Sequence, residues 1–392
     1  MLAKTLLCLS AALSTASAFG LPDFGQFAVD SGLALTGLNA IALGNSLANL
    51  RGSCNLGTLK FRQEWRTLTP AQRKNYISAV KCLQGKPSIL PPGTSAGSKS
   101  LFDDFVFVHL NQTVTIHLTG NFPTWHRYFI HAYEKKLQEC GYNGNLPYWE
   151  WGYDVNSPRD SPVFDGSDTS LGSDGAFISH PGLQLTFPGA TAPTFFQPGT
   201  GGGCVYKGPF KDMKVRLGPV VLPIYGSPNL TSAVDPTADN PRCLKRDLNP
   251  SIAKQWTSFR NTTELILYKT NIATFQGELT GDPRTSTNQV GVHGGGHFTI
   301  GGDPGGDPFI SPGDPAFYLH HGQVDRVYWI WQMLDFQNRQ NVFGTNTFFD
   351  FPPSANTTVE DLINIAPLIG GIPKIKELMS TVGGTPFCYV YI

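Results

Sequence analysis

Eight of the nine histidines in this 392-residue chain fall into two stretches far apart in the sequence. His109, His117, His126 and His131 lie in the first; His293, His297, His320 and His321 lie in the second. A single histidine on a helix is more often a core or surface group than a ligand, but two clusters of this density point to metal binding. A fold that uses them has to bring both stretches to one place, and the core of a helical bundle is where facing helices build such sites. The second stretch contains a difficulty. In "GVHGGGHFTI" the pair His293 and His297 has the i, i+4 spacing of two groups on one helix face, yet Gly294, Gly295 and Gly296 fill the interval. Each glycine costs a helix about 1 kcal/mol relative to alanine.

The chemistry of the clusters narrows the metal. Imidazole suits copper, zinc, iron and nickel. Neither stretch contains HExxH, so the zinc-protease pattern with a glutamate base is absent. No cysteine or carboxylate stands at an obvious ligand position beside the histidines. An all-imidazole double site in an oxidising compartment favours copper. On "WHRYFIHAYEKKL" the residues His126, Ile130, Tyr133 and Leu137 form one stripe, and His131 falls off it as a bystander. His320 and His321 are adjacent, about 100° apart on a helix. His321 shares its face with Val324, Asp325 and Tyr328 and is the better ligand, leaving His320 for a pocket or supporting role.

The oxidising compartment is read from the N-terminus. "MLAKTLLCLSAALSTASAF" has a basic Lys4, an apolar run and Ala16-Ser17-Ala18 as a cleavage site, the pattern of a secretory leader over 1–18. Six cysteines remain after Cys8 leaves with it: Cys54, Cys82, Cys140, Cys204, Cys243 and Cys388. An even number in a secreted chain predicts three disulfides. Cys54 with Cys388 would tie the domain ends, and Cys204 with Cys243 would close a long loop, though the pairing stays open. Sequons at Asn111, Asn229, Asn261 and Asn356 agree with secretion. Basic and acidic residues balance at 29 each, which gives no bulk electrostatic case for nucleic acid or an anionic membrane.

Helical patterns are expected near 101–118, 124–140 and 313–335. Another starts at Thr69-Pro70-Ala71 with the apolar stripe Tyr76, Ile77, Val80 and Leu83. Residues 19–53 read as an N-terminal segment, either a short helix or a removable pro-region. Residues 155–250 read as irregular, rich in Gly, Pro, Ser and Asp.

"HLTGNFPTWHRYFIHAYE" and "SPGDPAFYLHHGQVDRVYWIWQ" resemble the two copper-binding signatures of the type-3 copper family, which comprises tyrosinases, catechol oxidases and haemocyanins. The likeness is nearest to short secreted fungal polyphenol oxidases and spans roughly 54–391. It implies a mainly α fold, a four-helix bundle around a dinuclear copper centre with long irregular loops and a few short strands. It further implies a catalytic domain over 54–392 with no C-terminal shielding domain, since Tyr389-Val390-Tyr391 resembles the motif that closes the family's domain. Carried over, His109, His117 and His126 hold copper A, and His293, His297 and His321 hold copper B, with O2 as co-substrate. Arg127, Asp325 and Arg326 are expected to support the ligands. Phe122 and Trp125 are expected as walls or core, and Pro308, Phe309 and Ile310 as a gate.

The chain departs from the family at two informative positions. Thr115 stands where many members carry a cysteine crosslinked to a ligand histidine. Gly294 follows the first copper-B histidine where efficient monophenol hydroxylators carry asparagine paired with a glutamate, and Glu278 is the nearest upstream acid. The expected activity is oxidation of o-diphenols to o-quinones, with weaker hydroxylation of monophenols. Alternatives are a full tyrosinase, a haemocyanin-like O2 carrier and a dinuclear zinc hydrolase. Expected partners are small phenols, in a monomer or weak homodimer.

Overall fold

Four helices carry the histidines, and the rest of the chain wraps them. The computed structural model describes residues 23–185, 193–220, 233–286 and 290–392. The leader at 1–18 and the sequon at Asn229 lie outside the described residues. In chain order the helices are α1 (Gln26–Asp30), α2 (Leu33–Ala48), α3 (Pro70–Gly85), α4 (Leu101–Ile116), α5 (Phe122–Glu139), α6 (Pro250–Trp256), α7 (Phe259–Tyr268), α8 (Ile272–Thr280), α9 (Gly291–Ile300), α10 (Ala316–Leu334) and α11 (Ile375–Leu378). No helix among the described residues is long and apolar enough to cross a membrane.

Local chemistry sets the helix starts. Thr69 caps α3 and Gln72 reaches back to the Thr69 backbone, with Pro70 at the first position. Ser100 and Asp103 form the same reciprocal cap on α4. Pro123 opens α5 after Asn121. α4, α5 and α10 are buried along almost their whole length, so they form the centre of the molecule. Tyr133 of α5 and Tyr318 of α10 stack with ring centroids 3.4 Å apart, and Phe105 of α4 meets Tyr133 edge-on at 5.3 Å.

The strands are short and paired in twos. β1 (Lys60–Arg62) runs parallel to β8 (Tyr389–Tyr391), with Arg62 opposite Tyr391. Within the irregular excursion, β2 (Gly175–Phe177) pairs with β5 (Gly202–Val205), β3 (Leu183–Leu185) with β4 (Thr194–Phe196), and β6 (Lys214–Val215) with β7 (Arg242–Cys243). Disulfides join Cys54 to Cys388, Cys82 to Cys140 and Cys204 to Cys243. The first clamps the β1–β8 pair, the second ties α3 to the end of α5, and the third staples the excursion.

The segment before Cys54 belongs to the core. Asn45 of α2 donates to the Met333 carbonyl at 2.7 Å, and Trp329 of α10 donates to the Ser46 hydroxyl at 3.0 Å. Leu35, Leu38 and Ala42 are buried in the main cluster. A boundary at residue 54 therefore cuts through packed structure. Helices α6, α7 and α8 are also absent from the sequence expectation. They are short, and each begins at an Asn or Ser cap that resembles loop sequence. Of the described sequons, Asn111 and Asn356 are exposed, whereas Asn261 is half-buried and caps α7 through Ser258.

Candidate metal centre and substrate pocket

The structure makes "GVHGGGHFTI" a helix, α9, and each glycine has a separate reason. A Cβ on Gly295 would lie 2.6 Å from Cβ of Trp256, so the glycine lets α9 press against α6. A Cβ on Gly296 would lie 2.2 Å from the His320 ring, so that glycine admits His320 behind the helix. At Gly294 a Cβ would meet only the Val290 methyl at 3.1 Å and Phe298 at 3.8 Å, and this glycine faces the cavity. Tertiary packing offsets the poor propensity of the run. The space above the second cluster comes from Gly294 alone, since the other two positions are occupied by neighbours.

On this frame the histidines converge. Ring nitrogens of His109, His117 and His126 lie within 4.8 Å of one another, as do those of His293, His297, His320 and His321. His109 sits on α4, His117 caps its C-terminal end in extended conformation, and His126 is one turn into α5. Nε2 of His297 is 3.2 Å from Nε2 of both His293 and His321. The two groups adjoin, with the His126 and His321 rings stacked at 4.6 Å.

Backbone carbonyls hold the first group in place. Nδ1 of His109 bonds the Phe309 carbonyl at 2.9 Å, Nδ1 of His117 the Thr113 carbonyl at 3.0 Å, and Nδ1 of His126 the Phe122 carbonyl at 2.9 Å. Each bond places the ring proton on Nδ1 and leaves Nε2 as the free donor atom. Nε2 of His109 and of His126 are buried without a hydrogen-bond partner among the described residues. Burial pushes the imidazoles below their ordinary range, His117 to about 4 and His297 to about 3. His109, His126, His293 and His321 are pushed well below it by burial and by one another. Neutral imidazoles with orphaned, converging nitrogens are what a metal ion requires. The donor set, all nitrogen and all neutral, fits copper.

Several expected supporting residues act elsewhere. Asp325 and Arg127 are paired with each other, Nε to Oδ1 at 2.6 Å, and bond no imidazole. Asp325 also receives the hydroxyls of Tyr389 and Tyr391, both at 2.6 Å, and lies 3.3 Å from Arg62, which in turn pairs with Glu134 at 2.6 Å. Burial raises the Asp325 carboxyl, but the two guanidiniums and the tyrosine hydroxyls outweigh it and hold it below its usual value. Arg326 points to the opposite side, to Glu150 at 2.6 Å and Asn39 at 2.9 Å. On α10 the neighbouring side chains diverge, Asp325 toward Arg127 and Arg62 and Arg326 toward Glu150 and Asn39.

The cavity beside the histidines has a volume of about 280 Å³. His117, His293 and His297 form its floor, and Phe122, Gly294, Pro308 and Phe309 stand around them. Ile310 is core and packs over Gly218. His320 is fully buried against Trp151 and His297 and does not line the cavity. Trp125 is core as well, its indole donating to Gln112. His131 packs on Phe387, away from both clusters. Thr115 is exposed on the outer face of α4 and donates to the Gln112 carbonyl. Glu278 lies on α8, where Ser286 donates to it at 2.6 Å and Lys269 stands 3.5 Å away. It is not among the cavity's lining residues.

The rest of the lining was missed by sequence reasoning. Leu118, Leu183, Val290, Phe298, Phe348 and Phe349 come from four separate segments. Only Phe298, one turn after Gly294 on α9, had a signal in its spacing.

The family model for the common central domain of tyrosinase matches residues 99–334, a span that includes both histidine groups. The chain belongs to the tyrosinase family. It is a copper oxidase of that family, whose members carry a dinuclear type-3 copper centre and act on phenols. It is 40% identical to the tyrosinase-like protein orsC of Emericella nidulans over 74% of this chain and 78% of that protein. It is 37% identical to N-acetyl-6-hydroxytryptophan oxidase ivoB of the same organism, over 86% of this chain and 93% of the other. In three dimensions it is similar to a glycine-to-asparagine variant of a polyphenol oxidase from Thermothelomyces thermophila. That match has a TM-score of 0.85 and 37% identity, and it covers 92% of this chain and 98% of the other.

Proposed function

We propose that this protein oxidises o-diphenols to o-quinones with O2 as acceptor, in preference to hydroxylating monophenols. His109, His117 and His126 would hold one copper, and His293, His297 and His321 the other. When bound, the copper pair supplies the electron transfer to O2. Each catechol gives up two electrons and two protons, so one O2 takes four of each from two catechols and leaves as two waters. The chain's own contribution is to fix and desolvate the ligands and to shape the cavity. Carbonyls of Phe309, Thr113 and Phe122 orient three rings, and Phe122 stands edge-on to His293 with centroids 4.8 Å apart, where a planar ring would enter.

The observation that carries the preference is the cavity wall beside His293. Gly294 has no side chain, and the cavity lining contains no carboxylate among the described residues. A catechol arrives with both oxygens in place and needs no added base to orient a water. A monophenol would need one, and Glu278 is engaged elsewhere. We also propose that the protein is secreted, on the leader pattern at 1–18 and the three disulfides.

Copper-loaded protein should consume O2 with 4-tert-butylcatechol, and more slowly with 4-tert-butylphenol. Absence of O2 uptake with any catechol at full copper occupancy would overturn the activity. Equal rates on phenol and catechol would overturn the preference and favour a full tyrosinase.

A further inference from the structure

We propose that the cavity selects uncharged catechols and discriminates against those whose ring substituent carries an ionised carboxylate or ammonium group. This rests on the functional reading above and concerns the part of the site that meets the substituent. The outer wall is Val114, Leu118, Leu183, Phe298 and the pair Phe348 and Phe349. No Asp, Glu, Lys or Arg is among the described lining residues. The stretches outside the described residues within the chain, 186–192, 221–232 and 287–289, contain none of these four residue types either.

The two hydroxyls of the lining are engaged. Thr113 donates to the His109 carbonyl at 2.7 Å, and Thr280 donates to the Gln276 carbonyl at 2.8 Å. Arg284 lies against the Phe349 ring at 5.9 Å, but Asp282 holds its guanidinium at 2.7 Å and a further N–H goes to the Leu118 carbonyl at 2.7 Å. A carboxylate against this wall would lose part of its water and find no side-chain donor in the wall, and an ammonium would find no carboxylate.

The aromatic part of the wall is built into the fold. Phe348 and Phe349 meet edge-on at 4.4 Å. Phe349 and Asp350 both have left-handed backbone, at φ 54° and 58°, which non-glycine residues adopt only when their surroundings impose it. The imposing contacts are present: Thr347 donates to the Pro352 carbonyl at 2.6 Å, the Ser354 N–H to Asp350 at 2.9 Å, and Thr345 bridges Asn356. One relative is named for N-acetyl-6-hydroxytryptophan, a phenol that carries a carboxylate, so family membership by itself does not supply this selectivity.

The test uses matched substrates on the copper-loaded protein at pH 7. These are 3-(3,4-dihydroxyphenyl)propanoate with its methyl ester, and dopamine with 4-ethylcatechol. We expect kcat/KM for each neutral member to exceed its charged partner by at least about tenfold. The variant Phe348→Arg should narrow the ester-to-acid ratio at least about fivefold and widen the ratio of 4-ethylcatechol to dopamine. Equal specificity constants within both pairs on the unaltered protein would overturn the inference while leaving the oxidase reading intact. Unmoved ratios in a folded, copper-replete Phe348→Arg would overturn the assignment to this wall. If the variant does not fold, the matched pairs on the unaltered protein still decide the point. Oxidation of none of the four substrates would overturn the oxidase reading, and this inference with it.

Discussion

Nδ1 of His109 and the carbonyl oxygen of Phe309 are 2.9 Å apart, a hydrogen bond between residues two hundred positions apart in the chain. The same residue therefore orients a metal-site imidazole through its backbone and lines the substrate cavity with its ring. The two roles can be separated by mutation. Phe309→Ala keeps the carbonyl and removes the ring. Copper content should stay at the level of the unaltered protein, while kcat/KM for 4-tert-butylcatechol relative to catechol rises roughly three- to tenfold. Loss of copper without a change in that ratio would show that the ring, not the carbonyl, supports His109.

The three glycines of α9 should respond differently to the same added methyl group. Gly296→Ala drives a Cβ into His320 and should cost about 1–3 kcal/mol of stability, seen as a lower Tm, with reduced copper occupancy beside His293 and His297. Gly295→Ala should also lower Tm, through its clash with Trp256. Gly294→Ala faces the cavity and should cost less than either. Gly294→Asn should raise the ratio of monophenol to diphenol turnover; an unchanged ratio in a folded, copper-replete variant would refute the reasoning from this position.

The pair Arg127 and Asp325 is buried on both sides, so removing one member leaves the other's charge only partly compensated, Asp325 by Arg62 and two tyrosine hydroxyls and Arg127 by backbone carbonyls. Arg127→Met or Asp325→Asn should each destabilise by about 3–5 kcal/mol in thermal or denaturant unfolding. The double variant should cost clearly less than their sum, because neither charge is then left alone. Full additivity would mean that the pair is uncoupled.

Glu64 offers a pH signature remote from the metal site. Burial raises its carboxyl to about 7, against the opposing pull of Arg66 at 3.1 Å and of the backbone N–H groups of Arg66 and Glu150. A carboxyl that binds its proton more tightly when folded stabilises the protein below its unfolded value near 4.5. That contribution fades as pH rises from there to about 7, by up to about 1.4 kcal/mol per pH unit. Glu64→Gln should flatten this part of the stability profile and be comparatively more stable above pH 7. A profile unchanged between pH 4.5 and 7 would contradict the shift.

Much of this was legible in order along the chain. The helices carrying His109, His126 and His321 were readable as helical patterns, and α3 announces itself with Thr69 and Pro70. Both histidine groups were readable because imidazole is rare and its spacing is informative. The pairings Cys54 to Cys388 and Cys204 to Cys243, raised as options from the sequence, are present. Helices α6, α7 and α8 escaped because they are short and held by packing more than by periodicity. The roles first assigned to Arg326 and Ile310 failed, and of the two offered for His320 the pocket one did, because adjacency in sequence does not say which way a side chain points across a helix.

The sequence by itself determined the inventory: two clusters of histidine, no competing ligand chemistry beside them, a glycine after His293 and three disulfides' worth of cysteine. These are properties of residue type and local spacing; they point to copper, and the resemblance of the two histidine signatures implies the reaction family. Only the tertiary structure decided what surrounds them. The Phe309 carbonyl reaches His109, Asp325 turns to Arg127, and six apolar residues from four segments close an uncharged wall around the cavity. Such contacts join residues up to hundreds of positions apart. They arise when the buried faces of separate elements pack together, and no local pattern records which faces will meet.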